Sequence, residues 1–176
     1  MFANRFTAFV DACTLAGALK RNLLLSLAEA EFFRIRWSAR VLEQTEKAIA
    51  KIYEKRGTSQ NEAAEHGKRA RATMEIAFED AMVVGYDHLL PLATNLPDPD
   101  DAHVLAAAAP IQAAIIVTEN LKDFPSNVLD PLNIEAKSAD AFIADTIALD
   151  PGRAVAAIRQ MRERFKSRKK QRKCCC

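Results

Sequence analysis

Acidic residues that lie far apart in this 176-residue sequence fall at the ends of short apolar segments. Asp11 lies in the apolar run FTAFVDA, whereas Asn120 and Asp123 follow the run AAIIVT. Asp98 and Asp101 belong to the segment DPDD, which precedes an alanine-rich stretch. If the apolar runs are parallel strands, their carboxyl ends share one edge of the sheet, and these side chains converge there. Carboxylate oxygens in that arrangement are typical of a site for Mg²⁺ or Mn²⁺.

Further polar candidates lie in the helix that Ser38 is predicted to cap. At about 100° per residue, Gln44 falls at the border of the buried face, while Glu43 points nearly opposite the core. Simpler explanations stay open for several of these residues. A solvated helix face accounts for Glu43, helix capping accounts for the DPDD segment, and a turn accounts for Asn120.

The sequence contains no other common catalytic pattern. It lacks a glycine-rich phosphate loop, a GxSxG elbow, an HExxH pair and a CxxC pair. Its four cysteines, Cys13 and the terminal triplet 174–176, form neither a disulfide framework nor a metal-binding spacing, which favours a reducing compartment such as the cytoplasm. Two apolar stretches, 6–19 and 102–117, contain polar residues inside them, so no membrane association is expected.

Hydrophobic patterning predicts the elements that must position these residues. Short apolar runs predict strands at 6–12, 35–37, 81–86, 113–118 and 134–136. Helical spacing predicts helices at 17–31, 39–55, 61–78, 102–109 and 138–149. Strands that alternate with helices favour right-handed βαβ units. We therefore expect a three-layer α/β/α, Rossmann-like domain with a central parallel sheet of about four to five strands.

One domain is expected over residues 1–150, followed by a helix at 151–165 that packs on it. Residues 166–176 are expected to be a disordered, basic tail that ends in cysteines. Six basic residues lie between 166 and 173, while the rest of the chain has a net charge of −4. Because the excess of positive over negative charge is confined to one end, the composition excludes a globally basic nucleic-acid binder.

Four segments together resemble a known family. They are FVDACTL, WSARVLEQ, DPDDAHVLAAA and IIVTENLKDFP, and their order and spacing resemble those of the PIN-domain family. The resemblance covers roughly residues 6–136 and is closest to bacterial VapC-type ribonucleases of the longer subgroup, which carry an extra C-terminal helix. It implies a PIN-like fold and an acidic quartet that binds one or two Mg²⁺ or Mn²⁺ ions.

Carried over residue by residue, the resemblance implies Asp11 and Asp101 as metal ligands, with Asp98 nearby. Two positions depart from the family pattern. The glutamate of the family's helix corresponds to Gln44, one place after Glu43. The aspartate after the fourth strand is replaced by Asn120, and Asp123 is then the nearest carboxylate.

The resemblance also implies a function, namely a metal-dependent endoribonuclease that is the toxin of a type II toxin–antitoxin pair. Its partners would be an RNA substrate and a cognate DNA-binding antitoxin, and Lys68, Arg69 and Arg71 are candidates for RNA phosphate contacts. Gln44 and Asn120 favour an alternative, a PIN-fold scaffold or RNA-binding module without cleavage activity. A hydrolase of small phosphate esters fits less well, because it requires an aspartate at the position of Cys13.

The sequence also predicts a homodimer. The first predicted helix and the residues after it carry more large apolar side chains than one helix face needs to cover a sheet. These side chains are Leu23, Leu24, Leu27, Phe32 and Phe33. A second copy of the chain is the expected cover for them.

Overall fold

The computed structural model describes residues 6–93 and 95–174, and within these ranges it leaves out the side chains of Leu92 and 168–174. The last two cysteines of the predicted tail, Cys175 and Cys176, lie outside the described residues. Among the residues described, no helix combines the length and the apolar character that crossing a lipid bilayer requires.

A five-stranded parallel sheet forms the centre of the molecule. Its strands are β1 (Thr7–Val10), β2 (Arg34–Ser38), β3 (Met82–Val83), β4 (Ile115–Val117) and β5 (Glu135–Lys137). They lie in the order β3-β2-β1-β4-β5, so β1 is central and pairs with β2 on one side and β4 on the other. The predicted α/β fold with a parallel sheet is confirmed. The side chains of Ala8, Phe9 and Val10 in β1 are fully buried, as expected for the middle strand of a covered sheet.

Eight helices of the described residues surround this sheet. They are α1 (Ala12–Ala16), α2 (Ala18–Glu29), α3 (Ala39–Lys55), α4 (Gln60–Ala77), α5 (Ala102–Ala108), α6 (Ser126–Leu129), α7 (Ala139–Leu149) and α8 (Pro151–Cys174). Short 3₁₀ turns, including Pro99–Asp101 and Leu121–Asp123, connect several of the elements. The chain moves outward from β1 to β3 and then returns to the other side of β1 at β4. The carboxyl ends of β1 and β4 therefore form a topological switch point, the place where parallel sheets open a crevice.

The start of α3 follows directly from its sequence. The Ser38 side chain accepts a hydrogen bond from the Val41 N–H at 3.2 Å and caps the helix as predicted. The residues Val41, Leu42, Thr45 and Ile49 recur at helical spacing and are buried. The cap thus fixes α3 at the carboxyl end of β2, at the same edge of the sheet as the switch point.

Most predicted elements have slightly different bounds in the structure, and three show an informative difference. The helix expected over 17–31 is α2, which spans Ala18–Glu29, and a short helix that was not predicted, α1, precedes it and ends at Gly17, whose backbone is extended. The strand expected over 81–86 has only two residues, since Gly85 adopts a positive φ of 74° that ends the extended run. The helix expected to end at Phe165 continues to Cys174, so the prediction that the tail is disordered is wrong for 166–174. That stretch has no glycine or proline, and Lys, Arg and Gln are good helix formers.

The apolar face on which the dimer was predicted is covered within one chain. Leu24, Leu27 and Phe33 are buried, and the Phe33 ring packs edge-on against Phe142 of α7 with 4.8 Å between ring centroids. The first turn of α8 covers Phe32, because the guanidinium of Arg153 lies 4.3 Å from the centre of its ring. The reason for expecting a homodimer is therefore removed, and the homodimer itself stays an untested prediction.

The close approach of α3 and α4 gives a test of the packing. A Cβ atom on Gly67 would lie 2.5 Å from the backbone carbonyl oxygen of Glu46. We expect Gly67→Ala to lower the free energy of unfolding by about 1–3 kcal/mol, because backbone atoms of α3 must move away. Gly152→Ala is the matched control, since its Cβ would lie 3.6 Å from the nearest atom, and it should leave stability equal or slightly higher. Denaturant unfolding of both variants measures the difference, and equal stabilities would contradict this account of the helix contact.

Candidate metal centre at the switch point of the sheet

Asp11 is fixed at the carboxyl end of β1 by hydrogen bonds from several directions. Its N–H donates to the Val117 carbonyl at 2.9 Å, which attaches it to β4. Its Oδ1 accepts from the Ala12 N–H at 2.6 Å and so caps α1, while its Oδ2 accepts from the Thr118 hydroxyl at 2.9 Å. The side chain is 4% exposed. The carboxylate therefore has a single orientation, set before any ligand arrives.

The turn after β4 provides the hydroxyl that orients Asp11. Thr118 is fully buried, and its N–H donates to the Lys137 carbonyl of β5 at 2.9 Å. The Asn120 N–H donates to the Thr118 hydroxyl oxygen at 3.1 Å, so the hydroxyl hydrogen is directed at Asp11. Asn120 itself is exposed at this turn. Its observed contribution is thus a backbone hydrogen bond that aligns Thr118.

Cys13 is a neighbour of Asp11 to which the sequence analysis gave no role at this site. Its thiol donates to Asp11 Oδ2 at 3.2 Å and lies 3.4 Å from the Thr118 hydroxyl oxygen. Burial, and then the negative charge of Asp11, raises the pKa of the Cys13 thiol. The thiol therefore remains protonated at neutral pH and acts as a hydrogen-bond donor to the carboxylate.

Three further carboxylates gather at this edge. Asp98, Asp101 and Asp123 each present one carboxylate oxygen, and these three oxygens lie within 4.8 Å of one another. Asp98 accepts from the Asp100 N–H at 2.9 Å and so begins the 3₁₀ turn that carries Asp101 to the start of α5. Asp123 is placed by the turn after β4, where its N–H donates to the Asn120 carbonyl at 3.0 Å. The structure thus brings together residues that lie more than 20 positions apart in the sequence.

The surroundings of Asp101 disfavour a negative charge on its carboxyl group. Its Oδ2 is buried and has no hydrogen-bond partner among the described residues. Burial, followed by the negative charges of Asp11, Asp98 and Asp123, raises the pKa of Asp101 to about 6. Asp11 lies outside the 4.8 Å group, yet its charge has the largest effect on Asp101 among these neighbours.

A hard divalent cation fits this set of residues. The donors are carboxylate oxygens, which Mg²⁺ and Mn²⁺ prefer. The buried and unpartnered oxygen of Asp101 is a ligand atom without a counter-charge, and burying such a charge alone is costly. Asp98, Asp101 and Asp123 could therefore hold such a cation, and the charge of Asp11 acts on the same group.

The structure does not bring Glu43 to this cluster. Glu43 is exposed on α3, where its carboxylate accepts from Lys47 Nζ at 2.6 Å, and this hydrogen bond lowers the Glu43 pKa. Glu46 instead forms an ion pair with Arg71 of α4 at 3.5 Å. Gln44 is half-buried between them. A role for Glu43 or Gln44 in catalysis therefore stays a prediction.

The predicted RNA-contact residues of α4 are largely engaged with carboxylates. Lys68 pairs with Glu65 at 3.1 Å, and Arg71 pairs with Glu75 at 3.1 Å in addition to Glu46. Arg69 is exposed. The structure places these cations on the α3–α4 hairpin and does not place them among the aspartates.

Two residues near the cluster were missed by sequence reasoning. His103 follows Asp101 on α5, is 1% exposed, and has no hydrogen-bond partner for either ring nitrogen among the residues described. Burial, and then the positive charge of Arg40, lowers the His103 pKa to about 4, so the ring is neutral at pH 7. Arg40 is exposed in the first turn of α3. The one sequence signal for Arg40 was its position directly after the Ser38 cap, which places it at the edge of the sheet that carries the aspartates.

Comparison with known proteins gives consistent matches. Residues 7–122 match the PIN domain family, and residues 139–171 match the VapC50 C-terminal domain. The chain is 36% identical over 94 residues to the "Putative ribonuclease VapC50" of Mycobacterium tuberculosis (strain ATCC 25618 / H37Rv). The aligned region covers 53% of this chain and 54% of the relative. The chain thus spans about half the length of the curated relative it matches. No solved structure matches the chain. The predicted resemblance to the longer VapC-type subgroup is confirmed.

The raised pKa of Asp101 predicts a pH-dependent stability in metal-free protein. Its folded-state pKa of about 6 lies above the ordinary value of 3.8, so the folded state binds more protons than the unfolded state between these values. The contribution of the Asp101 carboxyl to the free energy of unfolding therefore falls as pH rises from 4 to 7. We expect Asp101→Asn to be more stable than the parent in chelator at pH 7.5, with a gap in melting temperature that closes toward pH 4.5. Asp130→Asn, which changes an exposed aspartate outside this cluster, is the control, and a gap that does not change with pH would contradict the assignment.

Proposed function

We propose that this chain, which belongs to the PIN-domain family, is a metal-dependent endoribonuclease that cuts phosphodiester bonds in RNA. The observation that carries the proposal is the buried, unpartnered oxygen of Asp101 within a group of three aspartates beside Asp11. The name of the relative, a putative ribonuclease, supports the choice of RNA as substrate.

The residues of the chain have separate parts in this proposal. Asp11 is held rigidly by Ala12, Thr118 and Cys13, so its carboxylate is oriented in advance. Asp101 offers a buried oxygen without a hydrogen-bond partner among the described residues, and Asp98 and Asp123 present their carboxylate oxygens beside it. A bound Mg²⁺ or Mn²⁺ would supply Lewis acidity toward a phosphate oxygen and would lower the pKa of a nearby water.

Contacts to the RNA backbone would come from cations around this edge. Arg40 is exposed, and its charge acts on His103 in the helix that follows Asp101, so it is one candidate. Lys68, Arg69 and Arg71 remain weaker candidates, because two of them are engaged with carboxylates. The basic end of α8 is a third source of phosphate contacts.

A scaffold or RNA-binding module without cleavage activity is the second candidate function. Gln44 and Asn120 favour it, since an amide oxygen coordinates without bringing a negative charge. The four aspartates at the sheet edge favour the nuclease, because they supply a charged ligand set that does not need Gln44 or Asn120.

The wider role proposed for the protein follows from its family. As a VapC-type protein it would be the toxin of a type II toxin–antitoxin pair in the cytoplasm, held inactive by a cognate DNA-binding antitoxin. A homodimer is part of the same proposal, although the face first expected to form it is covered by α7 and α8.

Metal binding and cleavage test the proposed function together. Adding Mn²⁺ should raise the melting temperature of the parent, because ligand that binds only the folded state stabilises it by mass action. Asp101→Asn should remove most of that rise and should reduce cleavage of single-stranded RNA by at least about tenfold. Asp145→Asn is the control and should change neither, because Asp145 is exposed on α7 and pairs with Lys137. Mn²⁺ stabilisation without cleavage would support the scaffold, and neither effect in the parent would exclude the nuclease.

Removing residues 166–176 tests what the basic tail contributes to stability and to RNA binding. The buried seam of α8, formed by Ala154, Ala157 and Met161, lies before this segment, so the free energy of unfolding should change by less than about 1 kcal/mol. RNA binding should weaken, and the slope of log K against log salt should become shallower by up to about 4, since six cations are lost. A full-length variant with these six residues changed to Gln distinguishes charge from helix length. An unchanged salt slope in both variants would show that the tail makes no phosphate contacts.

A further inference from the structure

Glu119 lies in the middle of the turn that orients Asp11. Its neighbours Thr118 and Asn120 act on Asp11 through the Thr118 hydroxyl. The Glu119 N–H donates to Cys13 Sγ at 3.3 Å, and the Cys13 thiol in turn donates to Asp11 Oδ2. Every residue of this turn therefore contributes one contact, direct or through one atom, to the position of Asp11.

The side chain of Glu119 points to the C-terminal helices. Its Oε1 accepts from the N–H of Ala139, the first residue of α7, at 3.3 Å, and from Lys20 Nζ at 3.1 Å. Lys20 lies in the first turn of α2 and also pairs with Asp140 of α7 at 3.1 Å. Glu119 thus joins the first turns of two helices, and its carboxylate satisfies a free N–H at the start of α7.

The position of this contact in the chain is informative. Glu119 lies within the part that matches the PIN domain, whereas Ala139 begins the part that matches the VapC50 C-terminal domain. It therefore links the two matched parts at the edge where the aspartates gather. Neither the motifs nor the resemblance had given Glu119 a role.

We infer that Glu119 is a positioning residue that clamps the Asp11 turn onto α7, so that the C-terminal helices help to set the geometry of the candidate metal centre. The side chains of Lys20 and Glu119 are each about one third exposed, and such ion pairs add little to overall stability. The clamp acts on the placement of the turn rather than on the free energy of folding. Its consequence for metal binding rests on the proposed function.

Cys13 offers a readout of the clamp that does not depend on any metal. In a background with Cys174, Cys175 and Cys176 changed to Ser, Cys13 is the only cysteine and is partly buried under the turn. Glu119→Ala should release the turn and accelerate alkylation of Cys13 by iodoacetamide severalfold in chelator. Glu119→Gln keeps an acceptor oxygen for the Ala139 N–H and should restore most of the protection. Asp140→Ala removes only the second partner of Lys20 and should leave the rate unchanged.

The same variants are then titrated with Mn²⁺, with free Mn²⁺ measured by electron paramagnetic resonance. We expect Glu119→Ala to raise the Mn²⁺ dissociation constant about tenfold, with melting temperature in chelator close to that of Asp140→Ala. An unchanged alkylation rate in Glu119→Ala, or an equal acceleration in Asp140→Ala, would overturn the clamp. Accelerated alkylation in a chain that binds no Mn²⁺ would support the clamp and overturn the proposed function.

Discussion

Negative charges that repel one another at one edge of a parallel sheet are the constraint around which this structure is organised. Asp98, Asp101 and Asp123 present oxygens within 4.8 Å, and the charge of Asp11 acts on the same group. Such a cluster persists only if the surrounding structure holds it in place. The fold does so by placing the carboxylates on three separate segments and by surrounding Asp11 with donors from Ala12, Cys13 and Thr118.

The topology explains why the cluster lies where it does. The chain leaves β1 in one direction and returns to β4 on its other side, so the carboxyl ends of these two strands border a crevice. Asp11 and Thr118 end those strands and meet across it. The helices beyond the PIN domain are part of the same arrangement, because α7 and α8 pack against α2 and the first residue of α7 contacts Glu119 beside the cluster.

The sequence was informative wherever the signal was local. Alternating apolar runs and helical spacing predicted the parallel sheet, the Ser38 cap predicted the start of α3, and a charged residue inside an apolar run pointed to Asp11. Other features depend on partners distant in the chain. Nothing near Cys13 in sequence indicates its contact with Thr118, 105 positions away, and nothing near Phe33 indicates that α7 covers it. A run of like charges predicts disorder at the end of the chain, yet the helix continues to Cys174, because Lys, Arg and Gln favour a helix.

The central claim is that the aspartates at the switch point hold a divalent cation, and locating the ion tests it most directly. Crystals grown or soaked in Mn²⁺ can be measured at a wavelength where manganese scatters anomalously. The account predicts an anomalous peak bordered by Asp11, Asp98, Asp101 and Asp123, about 2.0–2.2 Å from at least two of their carboxylate oxygens. A well-diffracting crystal with no peak at this edge, or with its main peak at Glu43 on the outer face of α3, would contradict it.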